Sequence, residues 1–334
     1  MYRNVHIVGV GTYHPKRIVE NEYFKKHFEK YGMSRQAEIL TERLGRNTRT
    51  LGEKDDTSLS MGLEAAKKAL DNANLTALDI DGIISVSDTP EYLLPCCAVL
   101  IRDGLDAKNA TNVFDVNSNC IGMITGIDVA SRYLKTDKKY KRFLVVGAML
   151  MSPFAREDDI VGYACFSDGG AAVVLEVKEE EEERGMLDYK VLTDSSFNRY
   201  TRFPVCGLSK ITKSEIKEYD KKFMWEPFDF DILSDEWVKL LTGLLNDNDY
   251  NPEDISHYFM SQFSKGDLDL TLEKMGVELS KSTFVGYKYG YTGCTSPFMA
   301  LDDRLKIEGF KKGDLIIFCS VAVGYTMSAV LYKC

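Results

Sequence analysis

The stretch Val113-Phe-Asp-Val-Asn-Ser-Asn-Cys120-Ile-Gly-Met-Ile-Thr-Gly-Ile-Asp-Val-Ala130 begins as a strand, VFDV, and ends as a helix, GMITGIDVA. Cys120 falls at the join. The first N–H groups of a helix have no partner inside it, and the aligned peptide dipoles add partial positive charge there. A thiol at such a point is expected to be biased toward thiolate, the form that attacks. Cys120 is therefore a candidate nucleophile for acyl transfer. A small buried residue at a tight bend is the other reading of the same position. Gly122 and Gly126, four apart on the expected helix, predict a close approach to a neighbouring element.

Strands and helices alternate on both sides of this stretch. Residues 4–10 (NVHIVGV) read as a buried strand ended by Gly11 and Pro15, and residues 20–45 are polar and helix-like. Thr57 or Ser58 can cap a helix through MGLEAAKKALDNAN, with Leu59, Leu63, Ala66 and Leu70 at helical spacing. Ile80 to Val86 is a strand, and residues 88–111 form a loop with one helical segment, CCAVLIRDGL. Downstream, FLVVG and GAAVVLEV are runs of buried-strand type. The five glutamates at 179–183 read as a solvated surface turn without chemistry.

After those glutamates the pattern starts again. LDNANLTALDI precedes one strand and LNDNDYNPEDI another, each an amphipathic helix, an Asn/Asp turn and an Asp-Ile step. FVGYKYGYTGCTSPFMALDDRL parallels the Cys120 strand, turn and helix; DLIIFCS parallels FLVVGAM, and YTMSAVLYK parallels GAAVVLEV. The agreement in order predicts an internal duplication of roughly 170 residues per half, here 1–178 with the nucleophile and 179–334. Alternating strands and helices imply mainly parallel sheets covered by helices. The expected fold is an α/β layered sandwich with two sheets, its ligands held at strand ends where the halves meet. Residues 197–230 have no first-half counterpart; their aromatic and basic side chains would line an entrance or form a packed surface excursion.

The totals exclude several classes of function. The chain has 334 residues, 44% hydrophobic and 28% charged, with a formal net charge of −9, which argues against a nucleic-acid partner. Its eight cysteines show no CxxC pair and its four histidines no paired spacing, so a disulfide framework and a zinc site are not expected. No run approaches the ~18 apolar residues of a membrane helix, and the amino terminus shows no secretion signal, so a cytoplasmic protein is expected.

With these stretches in order, the chain resembles the thiolase superfamily, and within it β-ketoacyl-ACP synthase III (3-oxoacyl-ACP synthase III). The resemblance runs nearly end to end through IVGVGTYHPKRIVEN, GRNTRT, SDTPEYLLPCCAVLI, FDVNSNCIGMITGIDVA, FSDGGAAVVL, YKYGYTGCTS and VAVGYTMSAVLYK. It implies a thiolase-like five-layer αβαβα sandwich, usually a homodimer, in fatty-acid or polyketide-type metabolism. It also implies that Cys120 takes an acyl group from acyl-CoA or from the phosphopantetheine arm of an acyl carrier protein, with no permanently bound cofactor. Two backbone N–H groups would hold the oxyanion, that of Cys120 and, by position in SVAVGY, that of Val323.

The same resemblance places the family's catalytic histidine at Ser261, in YFMSQFS, and its asparagine at Tyr291, in YGYTG. In the family that pair stabilises the enolate formed by decarboxylation. Serine cannot be a cation and is a poor base near neutral pH; tyrosine donates one hydrogen bond and is bulky. None of the four histidines aligns with the site. His257 should face the same side as Ser261, about 13 Å away at strand rise. Arg43 matches an arginine that contacts the nucleotide end of CoA, but the expected aromatic partner is Ile39 and a second arginine falls on Ile160. Weaker nucleotide recognition favours a carrier-protein donor. Asp168 and Gly169 match a structural FGDG turn, and Cys294 would be a packing residue near the site. Three functions follow: acyl transfer through a Cys120 thioester, decarboxylative condensation at a non-standard site, or a non-catalytic subunit paired with an active homologue.

Overall fold

The computed structural model describes residues 1–226 and 232–334, so the last four residues of the 197–230 insertion lie outside the described residues. The first part of the chain forms β1 (Tyr2–Tyr13), β2 (Arg17–Glu20), α1 (Asn21–Glu29), α2 (Ser34–Arg43), β3 (Thr48–Leu51), α3 (Ser58–Asn72), β4 (Gly82–Val86), α4 (Cys97–Gly104), β5 (Asn112–Val116), α5 (Gly122–Thr136), β6 (Arg142–Met149), α6 (Ile160–Ala164) and β7 (Gly169–Glu180). The second part forms β8 (Gly185–Thr193), β9 (Thr201–Arg202), β10 (Met224–Trp225), α7 (Leu233–Asn246), β11 (Ile255–Met260), α8 (Lys265–Lys274), α9 (Gly286–Tyr289), α10 (Ser296–Ile307), β12 (Leu315–Ala322) and β13 (Thr326–Lys333).

Apolar runs buried on both faces set the layers. Along β6 and β7, Phe143, Val145, Val173 and Leu175 join a central core, while Leu144, Val146, Ala172 and Val174 join an outer one with Ala65, Ala69 and Ile101 of α3 and α4. In the second half, Phe318 and Val330 face the same central core, and Ile317, Ala329 and Leu331 face Trp237, Leu241 and Leu272 of α7 and α8. Ile124 and Ile127 of α5 and Phe298 of α10 fill the centre. The order is helices, sheet, α5 with α10, sheet, helices: the five-layer thiolase-like sandwich that the sequence predicts.

Among the described residues, nine strands pair in the order β11-β12-β13-β8-β1-β7-β6-β4-β5. β4 is parallel to β5 and β6, and β7 is antiparallel to β6 and β1. β11 is parallel to β12, and β13 is antiparallel to β12 and β8. The second set repeats the first without a counterpart of β5; a lone bridge between Tyr258 and Ser282 stands beside β11 there. The expected two sheets are joined through one β1–β8 pair, Val5 with Gly185. Gly185 has φ +72°, and a Cβ there would lie 2.2 Å from the Val5 carbonyl oxygen, so the join depends on glycine.

Local expectations need three adjustments. β1 runs through Gly11 to Tyr13 instead of ending at Gly11. α3 is capped by Thr57, whose side chain accepts from the Ser60 N–H at 3.0 Å, but its buried stripe is Met61, Ala65, Ala66, Ala69 and Leu70, with Leu59 and Leu63 half-buried. The glutamate run is not all solvated turn. Glu179 and Glu180 end β7; Arg3 donates to Glu179 at 2.8 Å, and Glu180 accepts from Asn4 at 2.6 Å and pairs with His6 and Arg184. The opposite charges and the strand register draw these two side chains against β1.

Gly122 and Gly126 do allow the close approach expected of them. A Cβ on Gly122 would meet Val86 Cγ1 at 2.3 Å, and one on Gly126 would meet Val145 Cγ1 at 2.9 Å. α5 therefore lies directly on β4 and β6, which fixes the height of the residues just before it. Among the described residues no helix is long and apolar enough to cross a membrane.

Candidate active site

The carboxyl ends of parallel strands collect the site, as they do in α/β sheets generally. β5 ends at Val116, and the chain turns through Asn117 and Asn119 into a short 3-10 turn, Asn119–Ile121, before α5 begins. The Asn117 side chain accepts from the Asn119 N–H at 3.1 Å, and Asn119 takes φ +52°, a left-handed conformation that asparagine tolerates. This turn presents Cys120, which is 3% exposed. Ser320 on β12 donates to the Cys120 carbonyl at 3.2 Å, so the second part of the chain holds the backbone of this turn in the first.

Four expected residues meet here. The Tyr291 hydroxyl lies near the Cys120 sulfur and favours its charged form, and Ser261 acts in the same sense on the Tyr291 phenol. The N–H groups of Val323 and of Cys120 itself also approach the sulfur. Ser261 follows β11 and is fully buried; its Oγ accepts from the Phe263 N–H at 3.4 Å. Tyr291 packs edge-on between Phe166 and Phe263, with ring centroids 5.4 and 5.2 Å away. Val323 begins the turn between β12 and β13, where Gly324 and Tyr325 take positive φ.

The thiol is not biased toward thiolate. Burial pushes it up to about 12, and the Asp88 carboxylate adds to that, while the Tyr291 hydroxyl and the Val323 and Cys120 N–H groups oppose. Removing the sulfur from water costs the charged form more than these donors return. Burial also raises Tyr291 and Cys294 well above their ordinary ranges. Cys294 is 1% exposed and joins the central core near Gly122, as a packing residue should.

A cavity of about 570 Å³ opens onto Cys120, lined also by Asp88, Asn117, Asn119, Met151 and Phe166. Its other wall is the insertion, from Asn198 and Thr201 to Gly207, with Phe223. The insertion therefore lines an entrance. A second, tight cavity of about 20 Å³ lies between Cys120 and Phe166, Trp225, Phe263, Tyr291 and the 321–325 turn.

Other expected positions lie elsewhere. Arg43 is exposed at the end of α2 and lines neither cavity. Ile39 is 49% exposed, and Ile160 packs with Phe24, Phe28 and Tyr163. Asp168 is a tie: its carboxylate accepts from the N–H groups of Gly52 and Met151, each at 2.7 Å, and of Ser152 at 3.0 Å. Among the described residues, no histidine lines either cavity. His257 meets Thr283 Oγ1 at 2.9 Å, His14 stacks on Tyr289, His6 pairs with Glu180, and His27 reaches the Glu157 carbonyl.

Comparison with known proteins fits this geometry. The family model described as 3-Oxoacyl-[acyl-carrier-protein (ACP)] synthase III matches residues 114–195, which include Cys120, and its C-terminal counterpart matches residues 245–334, which include Ser261, Tyr291 and Val323. A β-ketoacyl-[acyl-carrier-protein] synthase III of Clostridium perfringens is 30% identical over 333 residues, covering 99% of both chains. The chain belongs to the 3-oxoacyl-[acyl-carrier-protein] synthase III family. Its relative from Solibacter usitatus is 26% identical over 98% of both chains. The crystal structure of the Aquifex aeolicus synthase III superposes with a TM-score of 0.86 at 26% identity, covering 99% of this chain and all of that one.

Sequence reasoning missed Asp88 and the two asparagines that line the cavity with Cys120. Asp88 lies inside SDTPEYLLP, where an acid between serine and threonine reads as a turn residue. Asn117 and Asn119 bracket a serine in NSNC, and that polar spacing before a thiol is a signal that could have marked the turn.

Proposed function

We propose that this protein is a cysteine acyltransferase that carries its acyl group as a Cys120 thioester. The observation that carries this reading is the buried Cys120 thiol lining an open cavity, with Val323 beside it there and Tyr291 beside it in the tight cavity. The donor is the phosphopantetheine thioester of an acyl carrier protein or of CoA. The N–H groups of Val323 and Cys120 then serve the carbonyl oxygen as it gains charge, which in such centres is a large share of the rate. The Tyr291 phenol steadies the sulfur when it leaves as thiolate. Ser261 and Tyr291 take the places of the family's histidine and asparagine, so the acceptor is a hydroxyl or an amine rather than a decarboxylating malonyl group. A homodimer of two-part subunits, divided near 178/179, belongs to the same reading.

Intact mass after incubation with hexanoyl-N-acetylcysteamine tests it. The expected result is one hexanoyl adduct on the native protein and none on Cys120→Ala. No adduct on the native protein, or an equal adduct on the variant, overturns it. A second reading, decarboxylative condensation, is favoured by membership of the synthase III family. It requires carbon dioxide and a β-keto product from a malonyl thioester.

A further inference from the structure

Asp88 sits two residues beyond the end of β4, and Cys120 four beyond the end of β5, its parallel neighbour. Both line the same cavity. The loop that carries Asp88 is held from both sides: the Thr89 N–H donates to Ser87 Oγ at 3.0 Å, and Thr89 Oγ1 accepts from the Leu150 N–H at 2.9 Å. The Asp88 Oδ1 is sealed from solvent and has no hydrogen-bond partner. Asp168 shows what a structural buried aspartate looks like here: both of its oxygens are filled by backbone N–H groups. An unmade hydrogen bond at a buried carboxylate is costly, so Asp88 is not explained as a tie.

We propose that Asp88 is the proton carrier of the Cys120 centre, serving a neutral hydroxyl or amine acceptor in the shared cavity. The proposal rests on the acyl-thioester reading above. In loading, the Cys120 proton passes to the Asp88 carboxylate as the sulfur bonds to the donor's carbonyl carbon. It then goes to the departing pantetheine sulfur as that bond to the same carbon breaks. In discharge, the acceptor's O–H or N–H proton passes to Asp88 as the acceptor attacks, and moves to the Cys120 sulfur as the thioester bond breaks. No electrons are exchanged and no co-reactant is consumed.

The surroundings suit this role. Burial pushes Asp88 up to about 7, so the carboxyl can both take and give a proton near neutral pH. Its charge is felt by Cys120, Tyr291 and Cys294, which face it from the nucleophile turn and from the segment before α10. Cys206 and Arg202 face the cavity from the insertion, and Arg202 is the one cation among the described lining residues. A malonyl carboxylate would meet Asp88 as a like charge, whereas a hydroxyl finds an acceptor for its proton.

The test uses the full chain loaded with hexanoyl-N-acetylcysteamine and freed of donor, with 1-propanol as acceptor. Adduct loss is followed by intact mass across the neutral range. Native discharge is expected to rise with pH and level off past neutrality. Asp88→Asn, loaded to completion by longer incubation because its loading should slow as well, should discharge roughly 100-fold more slowly than the native protein, with no such inflection, and Asp88→Glu should recover part of both rates. Equal discharge in native protein and Asp88→Asn overturns the proposal and leaves the acyl-thioester reading standing. No adduct on the native protein overturns both. Where Asp88→Asn does not fold, the native profile decides alone: a flat profile, or a rise that never levels, overturns the proposal.

Discussion

At the scale of the residue, burial beside Asp88 holds the Cys120 thiol in its protonated form. The join of VFDV to GMITGIDVA is local, so the bend and its thiol are visible in the sequence. The burial that pushes the thiol up to about 12 comes from Phe166, Phe263 and the 321–325 turn, all distant in sequence. Asp88 was illegible for the same reason, since only the fold brings the β4 and β5 loops to one cavity. A thiol held this high is mostly protonated at pH 8, and the Tyr291 hydroxyl is one of the few groups lowering it. Tyr291→Phe removes that donor and should move the titration further up. Iodoacetamide labelling of Cys120 at pH 8, read by peptide mass, is expected to slow about 10-fold, the usual value of a hydrogen bond to a charged group. Unchanged labelling would mean that the phenol does not touch the thiolate.

Elements place the residues, and here the strand ends and the glycine pair on α5 do most of the placing. Periodicity predicted α3, α5 and the double-faced strands, because burial on both sides leaves an unbroken apolar run. It misplaced the buried stripe of α3 by a fraction of a turn, since alanine and leucine both satisfy a helical pattern and only packing against β1 and β7 selects between them. The aromatic and basic side chains of the insertion left an entrance and a packed excursion equally open, and only the fold brings Thr201 to Gly207 to the cavity of Cys120. The contact between Gly122 and Val86 gives a direct test. Gly122→Ala puts a methyl where 2.3 Å is available to Val86 Cγ1, and overpacking of this kind costs about 1–3 kcal/mol. Thermal denaturation should register that loss, and Cys120 loading should fall with it, because the same helix start carries the thiol. Val86→Ala in the Gly122→Ala background should recover part of both.

Across the whole molecule, the alternation of strands and helices was readable from order alone, while the way the two parts of the chain share a core was not. α5 and α10 pack together in one cluster with strands of both parts, so neither part owns a complete interior. Calorimetry of the intact chain should therefore show one cooperative transition. Fragments 1–178 and 179–334 expressed separately should lack a sharp transition, and co-expression should restore it together with Cys120 loading. Two independent transitions, or a cooperative fragment 1–178, would contradict a shared interior.

The hydroxyl of Ser320 on the Cys120 carbonyl carries this interdependence down to one bond. Its consequence is mechanical: a change in β12 is felt at the backbone of residue 120, 200 residues away along the chain, so Ser320 bears on the position of the thiol without lining the cavity itself.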